Sequence, residues 1–569
     1  MVIIKTIRLT NRQNYYIICP TKKQVLLQKI QKQKSEKDRS LEDRQMQHTQ
    51  LFTIIALCIY ASIMTLIGVI SYTKSKTLDG FLVGGRKIGA WSTAFAYGSA
   101  YFSAVVFIGY AGQHGWNIGI GAIWIGIGNT VIGCLLSWLL FANRTRKMTK
   151  KLNARTMPDF FEKRYNSKGM KILAAAIIFV FLVPYSAAVY KGLGSLFSAV
   201  FPGVDTWVWM LLIACLTAVY LVAGGYTATA YTNLIQGIIM IVGVICLVIA
   251  VLSSDAVGGI TGLIENLGSF EPLPDDPNPI TGAQLTNLFG GSSFKFLCFN
   301  ILLTSFGTWG LPQMIGKFYA IKDTAAIKRG TVISTIFCIV IGCGAYLVGS
   351  TSRLILGGQL PAGGIDAVIP AVLLNVLGDT TLGMILLALI MILLLSASMS
   401  TLEAVVLTSA SAVAVDLIPA ISRREIPAKK QMTLTRILCL AFIACSFIFA
   451  AQNIPIIVSL MSFSWGIVSG CFIGPYIWGL FSKNITKIGA FAGILSGLLT
   501  VGGATLVISL TSSFGAAAAK SPEMGVAAMA ISFVVVPIVS LLTKKHQTSE
   551  QERIDEIFSC YHKEETETH

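Results

Sequence analysis

Residues 396–412 read SASMSTLEAVVLTSASA and follow the strongly apolar run LGMILLALIMILLL. On a helix, Ala397, Ser400, Thr401, Ala404 and Thr408 share one face, because residues three and four apart are neighbours. Such a stripe of small side chains can serve close helix packing. Alternatively, its neutral oxygens lie at one depth and can bind a small monovalent cation.

A second feature favours the cation. In residues 88–112, IGAWSTAFAYGSAYFSAVVFIGYAG, Gly98 and Ser99 lie in the middle of an apolar span, between Tyr97 and Tyr101. Glycine weakens a helix and lets backbone carbonyls leave the hydrogen-bond ladder, which lipid forbids unless the carbonyls line a cavity or bind something. Carbonyl and hydroxyl dipoles suit Na⁺, whereas a divalent ion calls for several carboxylates.

Composition identifies the surroundings of these residues as a lipid bilayer. The chain has 569 residues, of which 54% are hydrophobic and 12% charged, and apolar runs of roughly 20 residues recur along it. We predict an all-α integral membrane protein with about thirteen transmembrane helices. The predicted spans lie near 51–72, 90–112, 117–141, 170–192, 206–224, 226–252, 293–314, 331–356, 380–410, 433–451, 455–481, 488–509 and 523–543.

Charge predicts the orientation. The basic segments 73–89, 142–157, 316–330, 421–436 and 482–487 fall on alternate sides of the spans and mark the cytoplasm. The acidic loop 255–291 is expected outside, so the N-terminus is predicted outside and the C-terminus inside. Residues 1–50 are basic and conflict with this, which favours Met46 as the natural start over translocation of the extension. The net charge of +17 thus indicates membrane orientation and no nucleic-acid partner.

Motifs for other chemistry are missing from the sequence. The five His lie near the termini or in a loop, the twelve Cys show no paired spacing, and no nucleophile–base motif or GxxxxGK[ST] loop occurs. We expect no enzyme activity and no metal other than sodium.

Five ordered stretches resemble the sodium:solute symporter family, which includes the proline, pantothenate and sodium/glucose symporters. They are FLVGGRKIGAW, TMPDFFEKRY, GGYTATAYTNLIQ, GTWGLPQMIGKFYAIKD and SASMSTLEAVVLTSASAVAVDL. The resemblance implies a leucine-transporter-type fold with two five-helix inverted repeats in residues 90–481. A leading helix and loop (51–89), two trailing helices (482–543) and a cytoplasmic tail (544–569), expected to be solvated, complete the chain.

The resemblance also implies a sodium site. Its carbonyl ligands from the break of the first core helix correspond to Ser99 and Phe102. Its ligands from the eighth core helix correspond to Ala397, Ser400 and Thr401, which belong to the stripe already identified.

Two departures from the family leave the coupling open. Many members carry Asp or Asn at the position of Tyr101, and an acid where this chain has Asn233. Losing that acid favours one sodium ion and keeps a proton-coupled or uncoupled carrier as the alternative. Glu403, a carboxylate within a span, and Asn233 are the candidate coupling residues.

By position, Tyr97, Tyr101, Val106, Trp309 and Gln313 are candidates for substrate binding or gating. Gly307, Gly310 and Pro312 indicate a second interrupted helix around Trp309. The expected function is sodium-coupled symport of a small organic solute, an amino acid or a monocarboxylate, across the plasma membrane. A non-transporting receptor is the remaining, less favoured alternative.

Overall fold

A computed structural model describes residues 47–70, 77–274, 276, 278–377, 380–422, 426–452, 457–544 and 550–561. The candidate start Met46 and nearly all of the basic extension lie outside these residues. The described chain is helical throughout, and its only bridge between extended segments joins Ile88 to Ile321.

The first half of the chain contains one leading helix and the helices that carry the glycine-rich motifs. Three of its segments, at 105–111, 129–136 and 138–142, are wound as π-helix. The helices are Gln47–Ile70, Leu78–Val83, Ala90–Tyr101, Val105–Ala111, Gly112–Ile118, Ile123–Gly128, Asn129–Leu136, Trp138–Ala142, Asn143–Lys151, Met157–Tyr165, Lys168–Val200, Thr206–Leu252, Gly259–Gly268 and Gly282–Leu285.

The second half continues the bundle and ends in a short helix of the tail. Its helices are Phe294–Gly307, Pro312–Ala320, Thr324–Ser350, Ser352–Ile355, Val368–Leu377, Thr381–Ser411, Ala412–Leu417, Ile418–Ser422, Ala428–Ala450, Ile457–Phe481, Lys487–Thr511, Phe514–Ala519, Ser521–Leu542 and Gln551–Phe558.

Eleven helices of the described residues are long and apolar enough to cross a membrane. One of them is the 62-residue run Ala90–Lys151, which covers two of the predicted spans, and Thr206–Val222 is a shorter apolar helix. The all-helical membrane architecture is therefore confirmed, whereas the predicted number of thirteen spans is not.

Three long helices are interrupted within the bundle. Thr206–Leu252, the kinked helix, bends at Gly225, whose φ of 54° suits glycine. The broken helix consists of Ala90–Tyr101 and Val105–Ala111. The half-helix Pro312–Ala320 begins after extended backbone at Leu311, and its proline suits a first helical position.

The basic connections gather on one face of the bundle, here called the basic face. There Thr156 caps the helix Met157–Tyr165 and donates a hydrogen bond to Asp416, 2.7 Å away, in the segment Ala412–Leu417. Lys171 pairs with both Asp159 (3.3 Å) and Asp416 (3.4 Å). The TMPDFFEKRY stretch is therefore a helix held within the protein by hydrogen bonds and ion pairs.

The tail differs from the solvated segment expected from the sequence. The tail helix, Gln551–Phe558, buries Ile554, Ile557 and Phe558 against the basic face. Arg553 donates a hydrogen bond of 2.8 Å to the carbonyl of Lys163. The amphipathic spacing of the three apolar residues explains the docking, because one face of a short helix can then leave water.

On the opposite face, the described residues of the connection 253–292 pack over the bundle around a fully buried arginine. Arg353 donates to Asp276 Oδ2 at 2.7 Å and to the carbonyl of Trp116 at 2.8 Å, and its guanidinium lies 4.6 Å from the Trp116 ring centroid. Asp276 is itself nearly buried. Removing one partner of a buried ion pair leaves the other charge uncompensated.

We expect Arg353→Ala to destabilise the protein by about 3–5 kcal/mol for that reason. The measurement is thermal unfolding of the purified chain. Lys295→Ala is the matched control, since the Lys295–Glu523 pair is exposed to water and exposed pairs contribute about 1 kcal/mol or less. Equal effects of the two variants would contradict the assignment of Arg353 as the anchor of this loop.

Candidate functional site

The break of the helix that begins at Ala90 is made by side chains that capture backbone N–H groups. Phe102 has extended backbone, with φ −106° and ψ 101°. The N–H of Ala104 donates to Ser398 Oγ (3.2 Å), and the N–H of Val105 donates to Ser103 Oγ (3.2 Å). Hydroxyl acceptors thus replace the helical carbonyl acceptors at these two positions.

The consequence is a set of carbonyls without their helical donors. In a continuous helix the N–H groups of residues 104, 105 and 106 would bond the carbonyls of Ala100, Tyr101 and Phe102. Here the N–H of Val106 turns to the carbonyl of Ser103 at 2.9 Å. The carbonyls of Ala100, Tyr101 and Phe102 therefore lose these helical donors, and that of Ala100 lies 3.3 Å from Thr401 Oγ1 instead.

Gly98 itself remains helical, so it is not the point of the break. A Cβ built on Gly98 would lie 2.3 Å from the ring of Phe337. The glycine therefore serves close packing against the helix Thr324–Ser350, as the packing interpretation of its sequence context predicts.

The predicted hydroxyl stripe faces the break. It lies on Thr381–Ser411, the hydroxyl helix, where Ser400 Oγ is 2.8 Å from the carbonyl oxygen of Ser99 and 2.9 Å from that of Ala397. Thr401 Oγ1 lies 3.3 Å from the carbonyl of Ala100 and 3.1 Å from that of Ala397. Four of the five predicted sodium ligands are thus brought together, with Phe102 in the adjoining extended backbone.

The chemistry of this cluster is that of neutral oxygens in a dry environment. Ser99, Ser400 and Thr401 are fully buried. A hydroxyl can donate its hydrogen to a carbonyl, or rotate that hydrogen away and present a lone pair. Carbonyl and hydroxyl oxygens that converge in this way can coordinate a hard monovalent cation.

Glu403 lies one turn further along the hydroxyl helix, fully buried in a polar network. Thr232 Oγ1 is 3.2 Å from Glu403 Oε2, and Gln236 Nε2 is 3.2 Å from Glu403 Oε1. Gln236 also reaches the hydroxyl of Tyr60 in the leading helix, at 3.2 Å. This carboxylate is thus held by donors from the kinked helix.

Asn233 connects this network to the broken helix. Its Oδ1 lies 3.4 Å from Ser99 Oγ, and among the described residues its Nδ2 has no hydrogen-bond partner. Both candidate coupling residues therefore lie near the predicted ion site, Asn233 through Ser99 and Glu403 through the hydroxyl helix.

Two of the predicted aromatic residues brace the broken helix. Tyr97 donates a 2.7 Å hydrogen bond to the carbonyl of Gly133, and Tyr101 donates one of 2.8 Å to the carbonyl of Thr304. Val106, also proposed for the solute site, is buried in the π-helical half of the broken helix. The hydroxyls of both tyrosines are thus bonded to neighbouring backbone.

The other two predicted residues separate. Trp309 donates to the carbonyl of Ile132 at 3.0 Å and packs against Phe141 and Phe306, with ring centroids 5.0 and 4.7 Å away. Gln313, one turn later along the chain, instead lines a cavity at the basic face. The structure therefore does not bring Trp309 and Gln313 into one site.

This cavity, of about 60 Å³, holds several water-sized volumes. The cavity contains a lysine that was not among the predicted site residues: Lys317 lies in a predicted basic connection, but it is only 3% exposed. The sequence feature that could have identified Lys317 is its position in PQMIGKFYA, the half-helix that follows the interruption. The residues lining the cavity are Leu82, Val83, Arg155, Thr156, Met157, Pro158, Ile178, Tyr226, Thr229, Pro312, Gln313, Gly316, Lys317, Tyr319, Glu403, Ala404, Leu407, Thr408 and Ser411.

Arg86 of the GGR motif fixes the end of the half-helix beside this cavity. Its guanidinium donates to the carbonyls of Ala154 at 2.6 Å and Tyr319 at 3.4 Å. Burial lowers the pKa of Arg86 from its ordinary value, yet an arginine remains cationic in a protein. The motif therefore has a structural function, holding the basic face to the half-helix.

Comparison with known proteins identifies the family of these motifs. The model of the sodium:solute symporter family matches residues 81–497. The osmoregulated proline transporter OpuE of Bacillus subtilis is 27% identical over 86% of this chain and 95% of its own length. The sodium/proline symporter of Haemophilus influenzae is 28% identical over 90% of this chain and 98% of its own.

A solved structure confirms the fold. A Na⁺-coupled sialic acid symporter in an outward-open, substrate-bound state superimposes with a TM-score of 0.70. The match covers 86% of this chain and 97% of that one, at 17% sequence identity. The chain thus has the leucine-transporter-type fold that the motifs imply.

Close packing around the broken helix gives a test. A methyl group added at Gly133 would lie 2.1 Å from the hydroxyl oxygen of Tyr101, so Gly133→Ala must displace that ring and its bond to Thr304. We expect a loss of about 1–3 kcal/mol in stability, partly restored by adding Tyr101→Phe, both measured by thermal unfolding.

Gly502→Ala is the control for this pair, because an added Cβ there meets nothing within 4 Å. Alanine is the better helix former, so Gly502→Ala is expected to leave stability unchanged or raised. A Gly133→Ala protein as stable as the Gly502→Ala protein would contradict the described packing.

Proposed function

The chain belongs to the sodium:solute symporter family, and from that premise we propose that its driving ion binds at the break of the helix that begins at Ala90. The carbonyls of Ser99, Phe102 and Ala397 and the hydroxyls of Ser400 and Thr401 are its ligands. The observation that carries the proposal is the 2.8 Å contact of Ser400 Oγ with the Ser99 carbonyl, which joins two helices 301 positions apart.

The family defines the general activity. The protein is a secondary active transporter of the plasma membrane that couples movement of a small solute to sodium, and it is not an enzyme. Our proposal concerns the residues that perform the coupling and the solute that they move.

Coupling follows from the location of the proposed ligands on two separate helices. An ion held by both the broken helix and the hydroxyl helix binds tightly only in conformations that keep the ligands of the two helices close together. Sodium binding therefore favours those conformations, and ion and solute each raise the affinity for the other. When the two repeats move apart, the ligand set is divided and the ion leaves.

The solute is proposed from the relatives. Two curated relatives, from Bacillus subtilis and Haemophilus influenzae, are named as proline transporters. A small amino acid is accordingly the solute class that we propose, and L-proline is the first compound to test. A monocarboxylate is the second choice.

We also propose that the basic face is cytoplasmic, with the N-terminus outside and the C-terminal tail inside. Lysine and arginine are retained preferentially on the cytoplasmic side of short connections. The helix Asn143–Lys151 supplies this excess of positive charge, with five basic residues and no acidic one. The cavity at this face would then belong to the release path.

The double variant Ser400→Ala/Thr401→Ala tests the ion site. It removes both hydroxyl ligands, so we expect sodium-driven accumulation of labelled L-proline in proteoliposomes to fall at least about tenfold, through a weaker apparent sodium affinity. Removing a polar partner of a charged group typically costs about 1.5–3 kcal/mol, and about 1.4 kcal/mol corresponds to a tenfold change in affinity.

Ser409→Ala is the matched control, because Ser409 is buried on the same helix two turns beyond the break. It should retain the native sodium dependence. If the double variant accumulates solute with unchanged sodium affinity, the hydroxyl stripe is only a packing surface.

A proton-coupled carrier is the second candidate, and the buried carboxylate of Glu403 is the observation that favours it. We expect Glu403→Gln to lower uptake but to leave the remaining uptake dependent on sodium, because the donors Thr232 and Gln236 lose their charged acceptor. Uptake is compared under an inward sodium gradient and under an inward proton gradient without sodium. Native uptake that follows the proton gradient and disappears in Glu403→Gln would establish the second candidate instead.

A further inference from the structure

Lys317 is a buried ionisable residue that the sodium site leaves unexplained. Its ammonium lies 5.4 Å from the ring centroid of Tyr226, over the ring face. Glu403 acts on it electrostatically, but among the described residues no carboxylate lies within ion-pair distance, 4.0 Å, of its Nζ. A charged residue within a membrane bundle is costly, and it usually has a partner or a function.

Two uncharged neighbours also lack partners. Gln313 lies one turn before Lys317 on the half-helix and is 4% exposed, and neither atom of its amide group has a hydrogen-bond partner among the described residues. The hydroxyl of Tyr226 is in the same situation. Buried polar groups are normally hydrogen-bonded, so the Gln313 amide and the Tyr226 hydroxyl, which line one cavity with Lys317 and lack hydrogen-bond partners among the described residues, indicate a ligand.

The charge on the other side of the cavity restricts that ligand. Glu403 lines the same cavity, and its carboxylate already accepts hydrogen bonds from Thr232 and Gln236. A carboxylate offers about four acceptor positions, so Glu403 can accept a further donor from the cavity. The carboxyl group of Glu403 and the amino group of Lys317 therefore face the same cavity from two different helices.

We propose that Lys317, Gln313 and Tyr226 bind the carboxylate of the transported solute at the basic face, while Glu403 accepts its ammonium. The solute class is then a zwitterionic amino acid. A simple monocarboxylate leaves Glu403 without a match, and a neutral sugar leaves Lys317 without one. This inference rests on the proposed function, because it assigns the solute of that transporter.

The chemistry of recognition is that of charge-assisted hydrogen bonds. An ammonium donor to a carboxylate is roughly twice as strong as a neutral donor, and the Gln313 amide and the Tyr226 hydroxyl add two uncharged donors. Lysine acts as a point charge here, so arginine can replace its charge, although not its shape.

The test is the thermal stability of the purified full-length chain with added ligands, because a ligand that binds the folded state raises the unfolding temperature. The probes are sodium chloride, the twenty amino acids, L-lactate and L-prolinamide, which lacks the carboxylate. The variants are Lys317→Gln, Lys317→Arg and, as control, Lys322→Gln, whose side chain is 54% exposed. Lys317→Gln should fold, since it removes a buried charge.

We expect at least one amino acid to stabilise the native chain and Lys322→Gln, while L-prolinamide and L-lactate do not. Lys317→Gln should lower the affinity for that amino acid at least about tenfold, and Lys317→Arg should keep it within a few-fold. Sodium should stabilise all four proteins alike.

The inference is overturned if no amino acid binds while sodium still stabilises the protein, if the amide binds as well as the acid, or if Lys317→Gln binds equally well. In the last case Lys317 only balances the charge of Glu403. Conversely, Lys317-dependent binding of an amino acid without any stabilisation by sodium would support this subsite and contradict the proposed ion site.

Discussion

Within a bilayer, every backbone carbonyl must find a partner, and the break at Phe102 is where this protein departs from that constraint. The N–H groups that would satisfy the carbonyls of Ala100, Tyr101 and Phe102 are taken by hydroxyls and by a nearer carbonyl. Exposed to lipid, such carbonyls would each cost several kcal/mol. The surrounding helices therefore have to enclose the break, and the bundle is arranged around it.

The enclosing groups come from distant parts of the sequence. The hydroxyl helix supplies Ser400 and Thr401, and the helix Phe294–Gly307 receives the hydroxyl of Tyr101 through Thr304. Each contact joins the first half of the chain to the second. A movement of one half of the chain relative to the other therefore alters the distances within the oxygen cluster. Coupling an ion to a conformational change requires such a dependence.

The sequence predicts the arrangement of these oxygen groups well where its signals are local, and poorly where they depend on tertiary contacts. Small and hydroxyl residues at helical spacing predict the face formed by Ala397, Ser400 and Thr401. The glycine pattern pointed to Gly98, whereas the family resemblance implied a break at Ser99 and Phe102. The break lies at Phe102, because Gly98 packs on Phe337 and the hydroxyls of Ser103 and Ser398 capture the N–H groups. The burial of Lys317 depends on how the half-helix packs, which is a tertiary property. Its basic neighbours in the sequence instead indicated a surface connection.

The contacts of Ser400 and Thr401 with the carbonyls of Ser99 and Ala100 have a further consequence for turnover. These hydroxyls can satisfy the carbonyls themselves whenever no ion is bound. An ion at the proposed site has to replace hydrogen bonds that already exist, so its net binding energy is smaller than the sum of its own contacts. The unloaded carrier is correspondingly stable within lipid. It can therefore change conformation between two transport cycles without leaving these carbonyls unpaired in the lipid.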